Sequence, residues 1–165
     1  MFLVKKRKGL IIAGVVVLVL IAAGLCYSWI PRSWTGIAGD GQAESLSGTL
    51  MAASFDQDVN LPEGPGDSPA AQAVMEALKD RTYRAHLNNL LSYTPFAPKQ
   101  YSMDGPLVEL HIGYGDGQPL LNLFVSSGGS VYLREVRGGG NMFRYQTDTG
   151  LYEELAALVR ENAAQ

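Results

Sequence analysis

A single cysteine, Cys26, rules out an internal disulfide, so any folded domain in this chain must be held by a packed core. Histidine is almost as scarce. His86 and His111 are the only two, and no partner stands at metal-ligand spacing from either, which leaves no zinc-type signature. No Asn-x-Ser/Thr sequon occurs outside the apolar N-terminal run. Together with the lack of disulfides, this suits the outer face of a bacterial cytoplasmic membrane better than a eukaryotic secreted domain. There is no glycine-rich phosphate loop of the strand-to-helix type, and no Ser or Cys is placed by pattern as a nucleophile. No catalytic residue, cofactor or metal is therefore expected, and the chain does not read as an enzyme.

Charge is missing altogether from Gly9 to Ile30, GLIIAGVVVLVLIAAGLCYSWI, a run preceded by Lys5, Lys6, Arg7 and Lys8. About 21 helical residues at roughly 1.5 Å each span about 30 Å, the thickness of a bilayer's hydrocarbon core. A basic flank is retained on the cytoplasmic side, so the N-terminus is expected inside and everything after Pro31 outside. Tyr27, Trp29 and Trp34 are expected to form an aromatic girdle at the outer headgroups. The competing reading is a cleaved signal peptide with Ala22-Ala23-Gly24 as its site, although the run exceeds the usual signal core. A lipoprotein reading of Cys26 suffers from the bulky Leu25 just before it.

Four of the thirteen basic residues lie in the first eight positions, leaving nine against sixteen acidic ones, a formal charge of −7 beyond the run. Nucleic acid is excluded as a partner on that balance. The expected division is a cytoplasmic tail (1–8), a transmembrane helix (9–30), a flexible stalk (31–43) rich in Gly, Ser and Thr, and one extracytoplasmic domain (44–165).

Within that domain, residues 45–55 suggest a first strand with Leu50 or Met51 marking its buried face. Asp56-Gln57-Asp58-Val59-Asn60 copies the opening of a calcium loop, but Leu61 and Pro62 stand where that loop needs a glycine and a backbone ligand. Residues 61–68 read as a loop. Asp67 or Ser68 then caps a helix from Pro69 to about Arg81, with Ala71, Val74, Met75, Leu78 and Thr82 on one face. Residues 82–91 lean toward an edge strand, with helix as the alternative, and 92–106 form a long Pro-containing loop of the kind that carries binding function.

The second half is better specified. A two-residue turn at Asp116-Gly117 pairs Ile112 with Leu121, Leu110 with Leu123 and Val108 with Val125 on one face. A three-residue loop Ser126-Ser127-Gly128, with Gly128 left-handed, pairs Leu123 with Val131 and Leu121 with Leu133. A last strand over 142–147, its buried face open, leads to a helix over 151–162 with Leu151, Leu155, Leu158 and Val159 as its stripe. The predicted fold is α+β: an antiparallel β-meander packed against two helices, in the order β-α-β-β-β-β-β-α. The outward faces of the central strands carry Glu109, His111, Asn122 and Arg134. His111 is expected across from Asn122, with Glu109 two residues along the same face.

The layout has one resemblance. A Pro-capped helix, the YRAHL segment, a YGDGQ turn and LYEEL after FRYQT make residues 45–162 resemble small exported domains of unknown function in anchored proteins and lipoproteins of Firmicutes. The resemblance implies an α+β fold and a cell-envelope location, and carries over no catalytic residues. Two functions follow as expectations. One is an anchored binding, sensing or accessory domain, held in the lipid bilayer through residues 9–30 and meeting an envelope protein or peptide. The other is an envelope hydrolase or transferase using His111 and Glu109. An exposed sheet face with Phe124 and Tyr132 beside the charges favours the first, and a pocket holding His111 and Glu109 the second.

Overall fold

The computed structural model describes residues 2–51, 58–91, 103, 105–115, 120–135 and 140–163. The turn at Asp116-Gly117, Asp56 and Gln57 of the calcium-like stretch, and most of the 92–106 loop lie outside the described residues. The protein is α+β. Helix α1 (Phe2–Trp29) comes first, then strand β1 (Pro31–Arg32), helix α2 (Trp34–Ala38), and strands β2 (Ala43–Met51) and β3 (Val59–Pro65). Helix α3 (Pro69–Lys79), strand β4 (Tyr83–Ala85) and a 3-10 helix (Leu87–Leu91) follow. Strands β5 (Leu107–Tyr114), β6 (Leu121–Ser126), β7 (Ser130–Glu135) and β8 (Met142–Gln146) then lead into helix α4 (Gly150–Ala163).

The strands form one sheet in the order β1-β4-β8-β7-β6-β5-β2-β3, with every pairing antiparallel. Its core is the meander β5 to β8. One face carries Leu46 and Leu50, Val108, Leu110 and Ile112, Leu121, Leu123 and Val125, and Val131 and Leu133, all buried. Helices α3 and α4 pack beside each other on that face through Val74, Leu78, Leu151, Leu155 and Val159.

The first hairpin has the expected register: Val108 opposite Val125, Leu110 opposite Leu123, Ile112 opposite Leu121. The second has a loop of the expected odd length but displaced by one residue. Val125 faces Val131 and Leu123 faces Leu133, so Leu121 meets Glu135. The left-handed residue is Gly129, at φ 78°, and its N–H donates to the Ser126 carbonyl at 2.9 Å. This is a turn of four residues closed by a left-handed glycine. Burial fixes only which side of the strand faces in, and a displacement that moves each partner by two residues keeps every side chain on its own face. A Cβ on Gly129 would lie 2.6 Å from the Thr147 carbonyl oxygen, whereas one on Gly128 meets nothing nearer than 3.9 Å. Gly129→Ala is therefore expected to cost about 1–3 kcal/mol in urea unfolding and Gly128→Ala under about 0.5 kcal/mol. Equal costs would return the left-handed corner to Gly128.

On β8 the inward residues are Phe143 and Tyr145, across from Leu133 and Val131. Helix α3 starts as its sequence dictates, with Ser68 Oγ accepting from Ala71 N at 3.2 Å and Pro69 in the first turn.

Three expectations fail in the first part of the chain. The supposed stalk is folded. Ser33 caps α2, its Oγ accepting from Gly36 N at 3.2 Å, and this turn drives Trp34 into the core at 1 % exposure. There Trp34 packs tilted against Tyr83, with 6.0 Å between ring centroids, so it belongs to no aromatic girdle. The 61–68 loop is largely strand β3, whose ladder runs from Val59 opposite Leu50 to Pro65 opposite Ser45. Prolines are tolerated there because β3 is the sheet's outer strand, where a missing N–H leaves no ladder bond broken.

The 82–91 segment divides between the two readings. Strand β4 lasts three residues and lies inside the sheet, between β1 and β8. Past Ala85 the ladder to β8 is continued by a side chain. His86 N donates to the Arg144 carbonyl at 2.9 Å, and Asn89 Nδ2 donates to the same oxygen at 2.8 Å. Asn89 Oδ1 meanwhile accepts from Arg144 N at 2.8 Å. The amide of Asn89 thus supplies both groups that a further strand residue would have supplied.

Helix α1 stands apart in character. Its Ile11–Trp29 window has a mean hydropathy of 2.6 and none of it is buried. It is apolar on all sides, unlike α3 and α4, which each have one buried stripe. A helix of this kind has no water-facing side. It is long and apolar enough to cross a membrane, and a signal helix answers the same description.

Candidate functional site

Alternation along β5, β6 and β7 puts Glu109, His111, Asn122 and Arg134 on the face of the sheet away from the helices. The pleat aligns His111, Asn122 and Arg134 as direct cross-strand neighbours, and Glu109 follows two residues along from His111. All four expected residues are brought together on one face. His111 Nδ1 lies 2.9 Å from Asn122 Oδ1, and His111 Nε2 lies 3.4 Å from Glu109 Oε1. An amide oxygen only accepts, so the proton of that bond sits on Nδ1. Nε2, on the other side of the ring, faces the Glu109 carboxylate.

This geometry suits a polar clamp between strands better than a general base. A base needs a ring nitrogen open toward the substrate's proton, and both nitrogens of His111 already face side-chain oxygens. Glu109 is the more enclosed of the two, at 16 % side-chain exposure against 35 % for His111. Arg134, at the far end of the row, is exposed. Gly140 lies beside its guanidinium group, close enough that a Cβ there would sit 3.4 Å from the nearer nitrogen.

The face around this row is partly closed. Tyr132 is 3 % exposed, and Ser126 and Ser130 are buried with it. The Arg144 guanidinium lies 5.5 Å from the Tyr132 ring centroid and donates to Ser130 Oγ at 3.2 Å. The open aromatic surface that would favour a binding face is therefore absent at Tyr132. Two hollows among the described residues lie elsewhere, on the helical side. A groove of about 580 Å³ runs between α3 and α4 past Glu76, Asp80, Glu154 and Leu158. A second, of about 300 Å³, lies between α3 and the Gly41–Ala43 and Gly66–Asp67 segments. Neither is lined by His111 or Glu109. Among the described residues no three His, Cys, Asp or Glu side chains converge as metal ligands would.

The other histidine has a structural setting. His86 Nδ1 accepts from Asn88 N at 3.2 Å, and burial, followed by the nearby positive charge of Arg144, holds its pKa below the ordinary 6.5. A depressed value means that the unfolded chain binds the proton more readily than the folded one. Stability should therefore be complete above pH 6.5 and decline as pH falls below it, and His86→Gln should flatten that slope. Melting temperatures of both proteins across this range test the sign. Parallel curves would remove His86 as the cause.

Asn89 was not legible as a structural residue in the sequence. The one signal was a polar pair, Asn88-Asn89, set among Leu87, Leu90 and Leu91. Comparison of the chain with known protein families, with curated proteins and with solved structures finds no match.

Proposed function

We propose that this is a single-pass anchored domain of the bacterial cell envelope, with its N-terminus cytoplasmic and its sheet domain outside, where it binds, senses or assists an envelope protein or peptide. The observation that carries this reading is α1, whose Ile11–Trp29 window is long, strongly apolar and without a buried residue, and whose N-terminal end carries four consecutive basic residues. Supporting it is the acidic balance of the remainder, which suits neither nucleic acid nor an anionic surface as the main partner. The envelope location also draws on the resemblance of residues 45–162 to exported domains of Firmicutes. The enzyme alternative, with His111 and Glu109 as its working pair, is the weaker, because those groups are engaged with Asn122 and each other and line neither hollow.

Protease added to intact cells tests the topology. The domain should be digested while the segment up to about residue 30 survives in the membrane fraction. Survival of the domain alongside digestion of known external proteins reverses the orientation, and a mature chain starting near Leu25 by intact mass ends the anchor. Pull-down from membranes should recover the same partners with His111→Ala as with the unsubstituted protein. A loss of partners would move the interaction onto the sheet face.

A further inference from the structure

Outside α1 and Ile30, the exposed large aliphatic side chains among the described residues are Leu87, at 42 %, and Leu90, at 49 %. Both stand on the 3-10 helix, where residues three apart lie one above the other, so they share a side. That side adjoins α1: a Cβ on Gly24 would lie 3.5 Å from Leu87 Cδ2. Gly24 precedes Trp29 by five residues, or about 7.5 Å of helix axis. Leu87 therefore lies beside the apolar window, inside the level at which that window ends. Loop leucines ordinarily turn inward when the chain permits it. Here they are held out, because Asn89 beneath them is 1 % exposed and fastened to both backbone groups of Arg144.

The surroundings are basic. Pro31 of β1, which begins where α1 ends, pairs with the exposed Arg84 of β4, and the Arg32 guanidinium lies 4.5 Å from the Tyr27 ring centroid. We infer that the 3-10 helix Leu87–Leu91 is a second membrane contact, a foot that sinks Leu87 and Leu90 into the lipid boundary beside α1, with Arg32 and Arg84 at the level of the lipid phosphates. The surface is continuous with that of α1, and the depth matches the roughly 5–10 Å at which interfacial apolar groups settle. The inference rests on α1 being the anchor, so its test must separate the two.

The full chain with Cys26→Ser is reconstituted in vesicles of phosphatidylethanolamine and phosphatidylglycerol. Single cysteines at Leu20, Leu87, Leu90 or Thr49 carry an environment-sensitive fluorophore, and the quencher is a lipid with a nitroxide high on its acyl chain. These positions are surface-exposed or half-buried, so the core stays intact, and an unchanged melting temperature shows it. The expected result is a blue shift and loss of emission at Leu87 and Leu90 of the order seen at Leu20, with Thr49 unaffected. Quenching at Leu20 while Leu87 and Leu90 behave like Thr49 overturns the foot and leaves the anchor standing. That outcome includes the case in which another protein shields the leucines. No quenching at Leu20 overturns the anchor and the foot together.

Discussion

Asn89→Ala should destabilise the protein by about 2–4 kcal/mol, whereas Asn88→Ala, one residue away, should change stability by less than about 0.5 kcal/mol. The asymmetry comes from what the Asn89 amide replaces. Its oxygen is the acceptor for Arg144 N, and its NH2 group shares the Arg144 carbonyl with His86 N. Truncation leaves the Arg144 N–H without that acceptor in a part-buried place, where the loss of a partner is only partly relieved by solvent. The carbonyl suffers less, since His86 still donates to it. Asn89→Asp should be nearly as harmful, because a carboxylate oxygen would then face the Arg144 carbonyl oxygen. Urea unfolding of the detergent-solubilised chain measures all three. If Asn89→Ala unfolds within about 0.5 kcal/mol of the parent, the side chain is not completing the sheet.

The second large effect is expected at Trp34. Trp34→Ala should cost about 3–5 kcal/mol, the usual penalty for removing a fully buried aromatic ring, and Trp29→Ala close to nothing in the same unfolding measurement. Trp34 is 1 % exposed and packs on Tyr83, while Trp29 is 74 % exposed at the end of α1. The contrast distinguishes two roles that one aromatic-rich stretch suggests equally well. A girdle residue would leave domain stability unchanged on removal, and a core residue cannot. Comparable small losses at both positions would restore 31–43 as a stalk.

These two positions also mark where the sequence stops being readable. The first hairpin was legible because turn chemistry and alternation act locally and agree: the register expected from the Asp-Gly dipeptide is the one in which Val108, Leu110 and Ile112 meet Val125, Leu123 and Leu121. Helix α3 was legible for the same reason, with Ser68, Pro69 and the 3.6-residue stripe pointing one way. The second hairpin was legible only to parity, since two adjacent glycines offer two corners and both keep Leu123 inside. Strands β1 and β3 and helix α2 were not legible. Each is short or proline-bearing, and its stability comes from neighbours distant in sequence, such as Tyr83 for Trp34 and β2 for β3. The polar row Glu109, His111, Asn122 and Arg134 could be read from alternation. The closing of the face beside it, which buries Tyr132, could not, because alternation says which side a residue takes and nothing about what lies over it.

One detail of the junction bears on mechanics. Ile30 N still donates to the Cys26 carbonyl at 3.2 Å, and the next residue, Pro31, is already paired with Arg84 in the sheet. No swivel separates rod from globule. With α1 in a bilayer, a thinner or thicker hydrocarbon layer changes the rod's tilt, and the globule must tip with it as one lever. If α1 is the anchor proposed above, the angle at which the globule meets its surroundings follows the lipid composition around the rod.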